Sequence, residues 1–376
     1  MKKIISLVLV TILTLSAVLL TGCGAINDSE VSILWAGEAK ATNPNSLINS
    51  MDRAMYIESV SYVNYGANGN ADEQLEQAKA AVDNGCDALV VELVSPVYAS
   101  QIVDYAKAKS IPVVFVNCLV DESVVASYDK CAVVNADITT VADVQGEMIA
   151  DYVKANFAKL DKNEDGKISY FAYDLGVISI PSLVKANKLL ATADYVVKTV
   201  DKKEINTSIE LADVSITDPL KADPTKYELV ITADDLTAFE VLKKLQEKDY
   251  NTDKLTTHFV PVITVGDSVD YKAYVVKQGK DNYEANKYLV NLTTVKEDEL
   301  EEMIYTTRNV VGTGRLAGTV VADGDAISGA VAQIIRNLIK EADMMDGVAS
   351  QVNDGEVASV LVNGKSVKVR YISLTE

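Results

Sequence analysis

From Val31 to Val116 the chain alternates short, predominantly apolar runs with longer stretches that are apolar at helical spacing. The runs are Val31 to Trp35, Val60 to Asn64, Ala88 to Leu93 and Ile111 to Val116. Helices are expected over Ala71 to Asn84 and Pro96 to Lys109, and the polar Ala39 to Asn49 region reads as a loop entering a helix. A strand that is apolar at every position, not at alternate ones, must be covered on both faces, and sheets covered that way are parallel. This alone restricts the chain to the α/β class with doubly wound parallel sheets.

The alternation continues. Strands are expected at Ala132 to Asn135, Ile168 to Tyr173, Glu228 to Ile231, Val260 to Val265 and Gly318 to Val321, with Tyr195 to Val200 extended. Helices are expected at Thr139 to Phe157, Pro181 to Ala193, Asp235 to Lys248, Lys296 to Thr306 and Ala326 to Glu341. The segment Asp270 to Val295 breaks the rhythm and reads as an insertion, and two strands, Val357 to Val362 and Val367 to Ser373, finish the chain. With 376 residues, 48% of them hydrophobic, there is enough apolar material for two cores. In such sheets ligands sit beyond the carboxyl ends of the strands.

The N-terminus has Lys2 and Lys3, an apolar run from Ile4 to Leu20, and then Thr21-Gly22-Cys23. This is the layout of a secretory signal, and it resembles a bacterial lipoprotein signal cleaved before Cys23, whose sulfur would be lipidated. Residues 1–22 would then be removed and acyl chains would hold the protein at the membrane surface. No later stretch has the apolar length of a spanning helix. The net charge of −19 argues against nucleic acid or anionic lipid as partner. Cys86, Cys118 and Cys131 have neither zinc spacing nor a C-x-x-C motif, and we expect three buried thiols.

Asp161, Asn163 and Asp165 alternate ahead of Gly166, which lets a short loop gather hard oxygens around one cation. The spacing is that of an EF-hand, but position twelve is Ala172 where a bidentate Glu would be needed. The loop is either an acidic turn or half of a site completed by a distant carboxylate.

Several segments together resemble the periplasmic galactose/glucose-binding proteins, two-lobed type I sugar-binding components of ABC importers. They are Gln74 to Gln77, Gly85 to Val90, Ile111 to Asn117, Ser127 to Lys130, the Asp161 loop, Leu316 to Val320 and Val367 to Tyr371. In that family a Glu at the start of a C-terminal-lobe strand completes a calcium site. Glu228, in Lys226-Tyr227-Glu228-Leu229-Val230-Ile231, falls on it. The resemblance therefore implies Ca²⁺ held by Asp161, Asn163, Asp165, the Lys167 carbonyl, Ser169 and Glu228, in a structural role.

For the ligand it implies Asn117, Asp234 and Asp267, each just past a strand end. Two of these have plainer uses, since Asn117 fits a turn cap and Asp234 an N-cap for the helix at Asp235. Other family positions are not kept. The loop with a His, an Asp and an Arg aligns with Ile178 to Ala186, a stacking Trp falls near Thr217, a late Asn falls on Ala322, and Ala36 to Leu47 has no counterpart for the first-strand Asp and Phe. Trp35 is either a core aromatic or a ligand platform.

Enzyme motifs are lacking: His258 is the only His, and G-x-S-x-G, a Walker loop and H-E-x-x-H are all absent. The expectation is a monomeric, lipid-anchored, extracytoplasmic solute-binding protein that presents a small polar ligand, a sugar, to ABC permease subunits. Its lobes would be 23–137 plus 322–364 and 138–321 plus 365–376. A surface sensor or interaction protein with a drifted pocket is the alternative.

Overall fold

The computed structural model describes residues 30–40, 46–173, 178–191, 195–200, 203–207, 210–211, 223–251, 258–267, 307–312, 314–348 and 360–375. The expected signal segment with Cys23, the expected insertion at Asp270 to Val295, the expected helix at Lys296 to Thr306, and Thr217 lie outside them. Each predicted apolar run in this range becomes a strand. The first half comprises β1 (Glu30–Trp35), α1 (Leu47–Ile57), β2 (Ser61–Gly66), α2 (Ala71–Asp83), β3 (Ala88–Val91), α3 (Ala99–Ala108), β4 (Val113–Val116), α4 (Glu122–Ala126) and β5 (Cys131–Ala136). Next come α5 (Val141–Leu160), β6 (Lys167–Ile168), β7 (Tyr170–Tyr173), α6 (Ser179–Ala191), β8 (Tyr195–Val200), β9 (Lys203–Thr207) and β10 (Glu210–Leu211). The rest is β11 (Leu229–Thr232), α7 (Asp235–Gln246), β12 (Val262–Val265), α8 (Thr307–Gly312), β13 (Gly318–Val321), α9 (Gly324–Ile339), β14 (Val360–Asn363), β15 (Ser366–Val369) and β16 (Ile372–Thr375).

Two main sheets result. The first has strand order β14-β15-β5-β4-β3-β1-β2 and is parallel except for β14; the second, β16-β13-β12-β11-β7, is parallel except for β16. Alternate residues of one strand enter different cores, which is why β4 is apolar at every position. In β4, Val114 and Val116 pack toward α1 and α9, while Val113 and Phe115 pack toward α2 and α3. The second sheet is sandwiched likewise, with Ile231 on the α5–α6 side and Val230 on the α7 side. Trp35 is 1% exposed and its Nε1 donates to Asn64 Oδ1 at 2.9 Å, so it is a core aromatic. Among the described residues no helix is long and apolar enough to cross a membrane.

Helix ends follow their capping residues. Asn70 caps α2 by accepting from Asp72 N and Glu73 N, and Asp323 caps α9 through Ala326 N. The α5–α6 crossing depends on Gly146, where a Cβ would stand 2.6 Å from the Ser182 carbonyl oxygen. Beside it, Gln145 donates to the Thr232 carbonyl at 2.9 Å and accepts from Ser182 Oγ at 2.8 Å, satisfying a buried amide.

One boundary is corrected. Val367 to Ser373 is two strands, not one, and residues from 365 onward are not all in the second lobe. Val367 and Val369 are fully buried, and β15 pairs with β5 of the first sheet. The chain then crosses at Arg370 and Tyr371, and β16 runs antiparallel to β13 of the second sheet. At this crossing Arg370 meets Glu147 at 2.6 Å, and Tyr371 N donates to Thr140 Oγ1. Among the described residues the extended Tyr195–Val200 segment pairs only with β9, antiparallel and apart from both main sheets.

Candidate functional site

The Asp161 loop follows directly from α5. Glu164 (φ 58°) and Gly166 (φ 81°) both take left-handed backbone, which curls the loop tightly. Asp161 Oδ1 accepts from Asp165 N at 3.0 Å and Oδ2 from Gly166 N at 3.1 Å. Asn163 Oδ1 accepts from Asp165 N at 3.1 Å, while Asp165 accepts from Lys167 N at 2.8 Å and Asn163 Nδ2 at 2.9 Å. Glu228, directly before β11, turns its carboxylate back to this loop. Its Oε1 accepts from Lys162 N at 2.8 Å, and its Oε2 from Ser169 N and Ser169 Oγ, both at 2.8 Å.

All six residues of the expected cation set are thus gathered in one region, joined across 59 and 66 positions of sequence. Carboxylate, amide and hydroxyl oxygens of this kind suit a hard cation, but Glu228 Oε2 already accepts two hydrogen bonds from Ser169. Their present partners are N–H and O–H donors, however. Among the described residues no three Asp, Glu, His or Cys side chains converge at metal-holding spacing. A cleft of about 240 Å³ lies against Lys162, Asn163, Ser169 and Glu228. Burial lowers the pKa of Lys162 while the Glu228 charge opposes this; its Nζ donates to the Phe259 carbonyl at 3.1 Å.

The expected ligand residues lie where the topology puts strand ends. In the first sheet β1 and β3 are neighbours with β2 on the outer side of β1, so the winding direction reverses between them. Glu92 follows β3 at that switch point. Its Oε1 accepts from Asn117 Nδ2 at 2.7 Å, and its Oε2 faces Ala36 N at 3.4 Å. Asn117 itself has φ 49°, a conformation that Asn adopts more readily than most residues. In the second sheet Asp234 is the N-cap of α7, with Oδ1 accepting from Thr237 N and Oδ2 from Thr237 Oγ1, both at 2.7 Å. Asp267 follows β12 and Gly266, and grips Arg308 twice: Oδ1 accepts from Arg308 N at 2.9 Å and Oδ2 from Arg308 Nε at 3.1 Å.

Asp234 and Asp267 therefore lie after paired strands of one sheet, and Asn117 in the other. Sequence reasoning missed Glu92 and Arg308. Glu92 has a signal in principle, since it ends a strand at a switch point. Arg308 lies 41 residues beyond Asp267 and had none.

A family model described as periplasmic binding protein domain matches residues 49–285. The chain belongs to this family. A curated relative, the D-galactose/methyl-galactoside binding periplasmic protein MglB of Haemophilus influenzae, is 38% identical over 97 residues. That match covers 26% of this chain and 29% of the relative's length. Among solved structures, a mutant of the XylFII–LytSN complex has a TM-score of 0.51 at 11% identity, covering 92% of this chain and 97% of that one. The likeness is one of fold. The periplasmic binding protein component of the arabinose ABC transporter from Shewanella sp. ANA-3 gives a TM-score of 0.44 at 13% identity, covering 92% of each chain.

Within this periplasmic binding fold, the segment Ile178 to Ala186, aligned with the family's His, Asp and Arg loop, begins α6. It exposes Val184 and partly Ile180 while burying Ser179 and Ser182. Ala322, at the family's late Asn, lies just after β13 and before the α9 cap. Cys86, Cys118 and Cys131 are all free thiols; Cys86 and Cys131 are buried as expected, whereas Cys118, just past the end of β4, is only partly buried.

Proposed function

We propose that this chain is the solute-binding component of an ABC importer, exported, anchored through Cys23, and closing its lobes around a sugar. Support comes from membership of the family together with the 38% match to a galactose-binding relative. The single observation that carries the reading is the polar set at the strand ends. Glu92 and Asn117 are hydrogen-bonded to each other at the switch point of the first sheet, and Asp267 with Arg308 follows β12 of the second. Amide, carboxylate and guanidinium groups can donate to and accept from adjacent hydroxyls, the chemistry a polyhydroxylated ring requires. A closed, loaded protein would then be presented to permease subunits.

Ca²⁺ fits the same reading as a structural ion. Asp161, Asn163, Asp165, the Lys167 carbonyl, Ser169 and Glu228 would hold it, and it would add charge neutralisation at the junction of the loop and β11. The observation favouring it is the return of Glu228 to the loop.

A ligand that binds only the folded state must raise its melting temperature. We expect at least one of D-galactose, D-glucose, L-arabinose and myo-inositol, each at 1 to 10 mM as an order-of-magnitude working range, to raise the midpoint by several degrees. A flat response to all four would remove the sugar reading.

A further inference from the structure

The segment aligned with the family's arginine loop supplies no Arg, yet the fold brings another one to a strand end. Arg308 lies in the first turn of α8, a short helix that begins after the insertion. Its main-chain N–H and its Nε both donate to Asp267, the residue that follows Gly266 at the carboxyl end of β12. The main-chain contact ties the start of α8 to Asp267, and the Nε contact at 3.1 Å holds the inner edge of the guanidinium against the same carboxylate. The side chain is one-third exposed (34%), and among the described residues Asp267 is its sole hydrogen-bond partner, leaving both Nη groups available.

Its position relative to the other lobe is marked by Asp325, in the first turn of α9, a helix that packs on the first sheet. Burial would raise the Asp325 carboxyl. Hydrogen bonds from Arg53 and Ser50, and the charges of Arg53 and Arg308, outweigh burial and hold it below the usual value. The Arg308 charge is thus felt by a carboxylate of the opposite lobe, while Asp267 ties Arg308 to its own. A planar fork held by a carboxylate, partly desolvated and open on its outer edge, is suited to two adjacent oxygen acceptors. Because Asp267 already balances its charge, a neutral diol satisfies it without adding an unpaired anion.

Resting on the sugar reading above, we infer that Arg308, positioned by Asp267, is a specificity-determining residue of the cleft that donates both Nη groups to a vicinal diol of the ligand.

The test is calorimetry on the full chain and on Arg308→Ala and Arg308→Lys, titrated with D-galactose, D-glucose, L-arabinose, myo-inositol and the monodeoxy analogues of whichever binds. The Asp267 bond to the residue 308 backbone survives both substitutions, and melting without sugar checks the fold; should Arg308→Ala not fold, Arg308→Lys carries the comparison. Charged hydrogen bonds of this type predict a loss of roughly ten- to hundredfold in affinity for Arg308→Ala. Arg308→Lys, which keeps charge but not the fork, is expected in between. One deoxy analogue that binds the wild type poorly should bind Arg308→Ala no worse than its parent sugar does. Binding within twofold of wild type by Arg308→Ala, or deoxy penalties identical in all proteins, would overturn this inference and leave the sugar reading standing. No binding of any sugar by the wild type would remove both.

Discussion

Glu228 is a carboxylate only 5% exposed, and its stability comes from three donors on a loop distant in sequence. Replacing it by Gln turns one acceptor oxygen into an NH₂ group facing an N–H. That change loses a charged hydrogen bond and leaves a buried donor poorly matched, a cost of about 1–3 kcal/mol. We expect Glu228→Gln to lower urea stability by that amount and to abolish any difference between melts in CaCl₂ and in EDTA. A calcium response equal to wild type would disprove the ion site at this residue. Glu228 was legible in the sequence because its neighbours Tyr227 to Ile231 match a family segment. Arg308 was not, because its meaning comes from Asp267 and the two are brought together only by the fold. Asp234 shows the reverse case: its place after a strand was readable, and the structure gives both its oxygens to Thr237 as a helix cap.

At the level of elements, α5 packs tightly against α6 at Gly146. A side chain at Gly146 would meet Ser182 O at 2.6 Å and Lys185 Cβ at 2.7 Å, and neither backbone nor Cβ can swing aside. Gly146→Val should push the helices apart, expose part of the Val144–Leu183 core and break the Gln145–Ser182 bond. Overpacking of this kind costs about 1–3 kcal/mol or more, and a chemical-denaturation midpoint unchanged from wild type would refute the crossing. The strands were the most readable elements, since continuous apolar runs have few other uses. The crossing between β15 and β16 was not readable, because Val367 to Ser373 stays strand-like throughout and only the pairing partners change. Nor did composition indicate that Tyr195–Val200 would form a hairpin apart from the main sheets.

On the scale of the molecule, the three thiols are one titrating set. Burial pushes Cys86 and Cys118 up to about 11 and Cys131 to about 12. With the folded values above the unfolded ones, the native state holds its protons after the unfolded chain has begun to lose them. The stabilisation is complete below the unfolded thiol value, near 8.5, and is lost as pH rises through the folded values. We expect the urea midpoint to fall steadily between about pH 9 and pH 11, and to fall less in a variant with Cys86 and Cys131 replaced by Ala. A midpoint constant across that window would contradict the burial of these groups.

The final crossing has a consequence for synthesis. Residues 366–369 are the strand that covers the open side of β5, and residues 372–375 are the strand that covers β13. Both sheets thus wait for the same ten residues, 366–375, and until these are made each lobe presents an unpaired strand edge. A chain lacking residues 366–375 therefore has two unfinished sheets, instead of one finished lobe and one incomplete one.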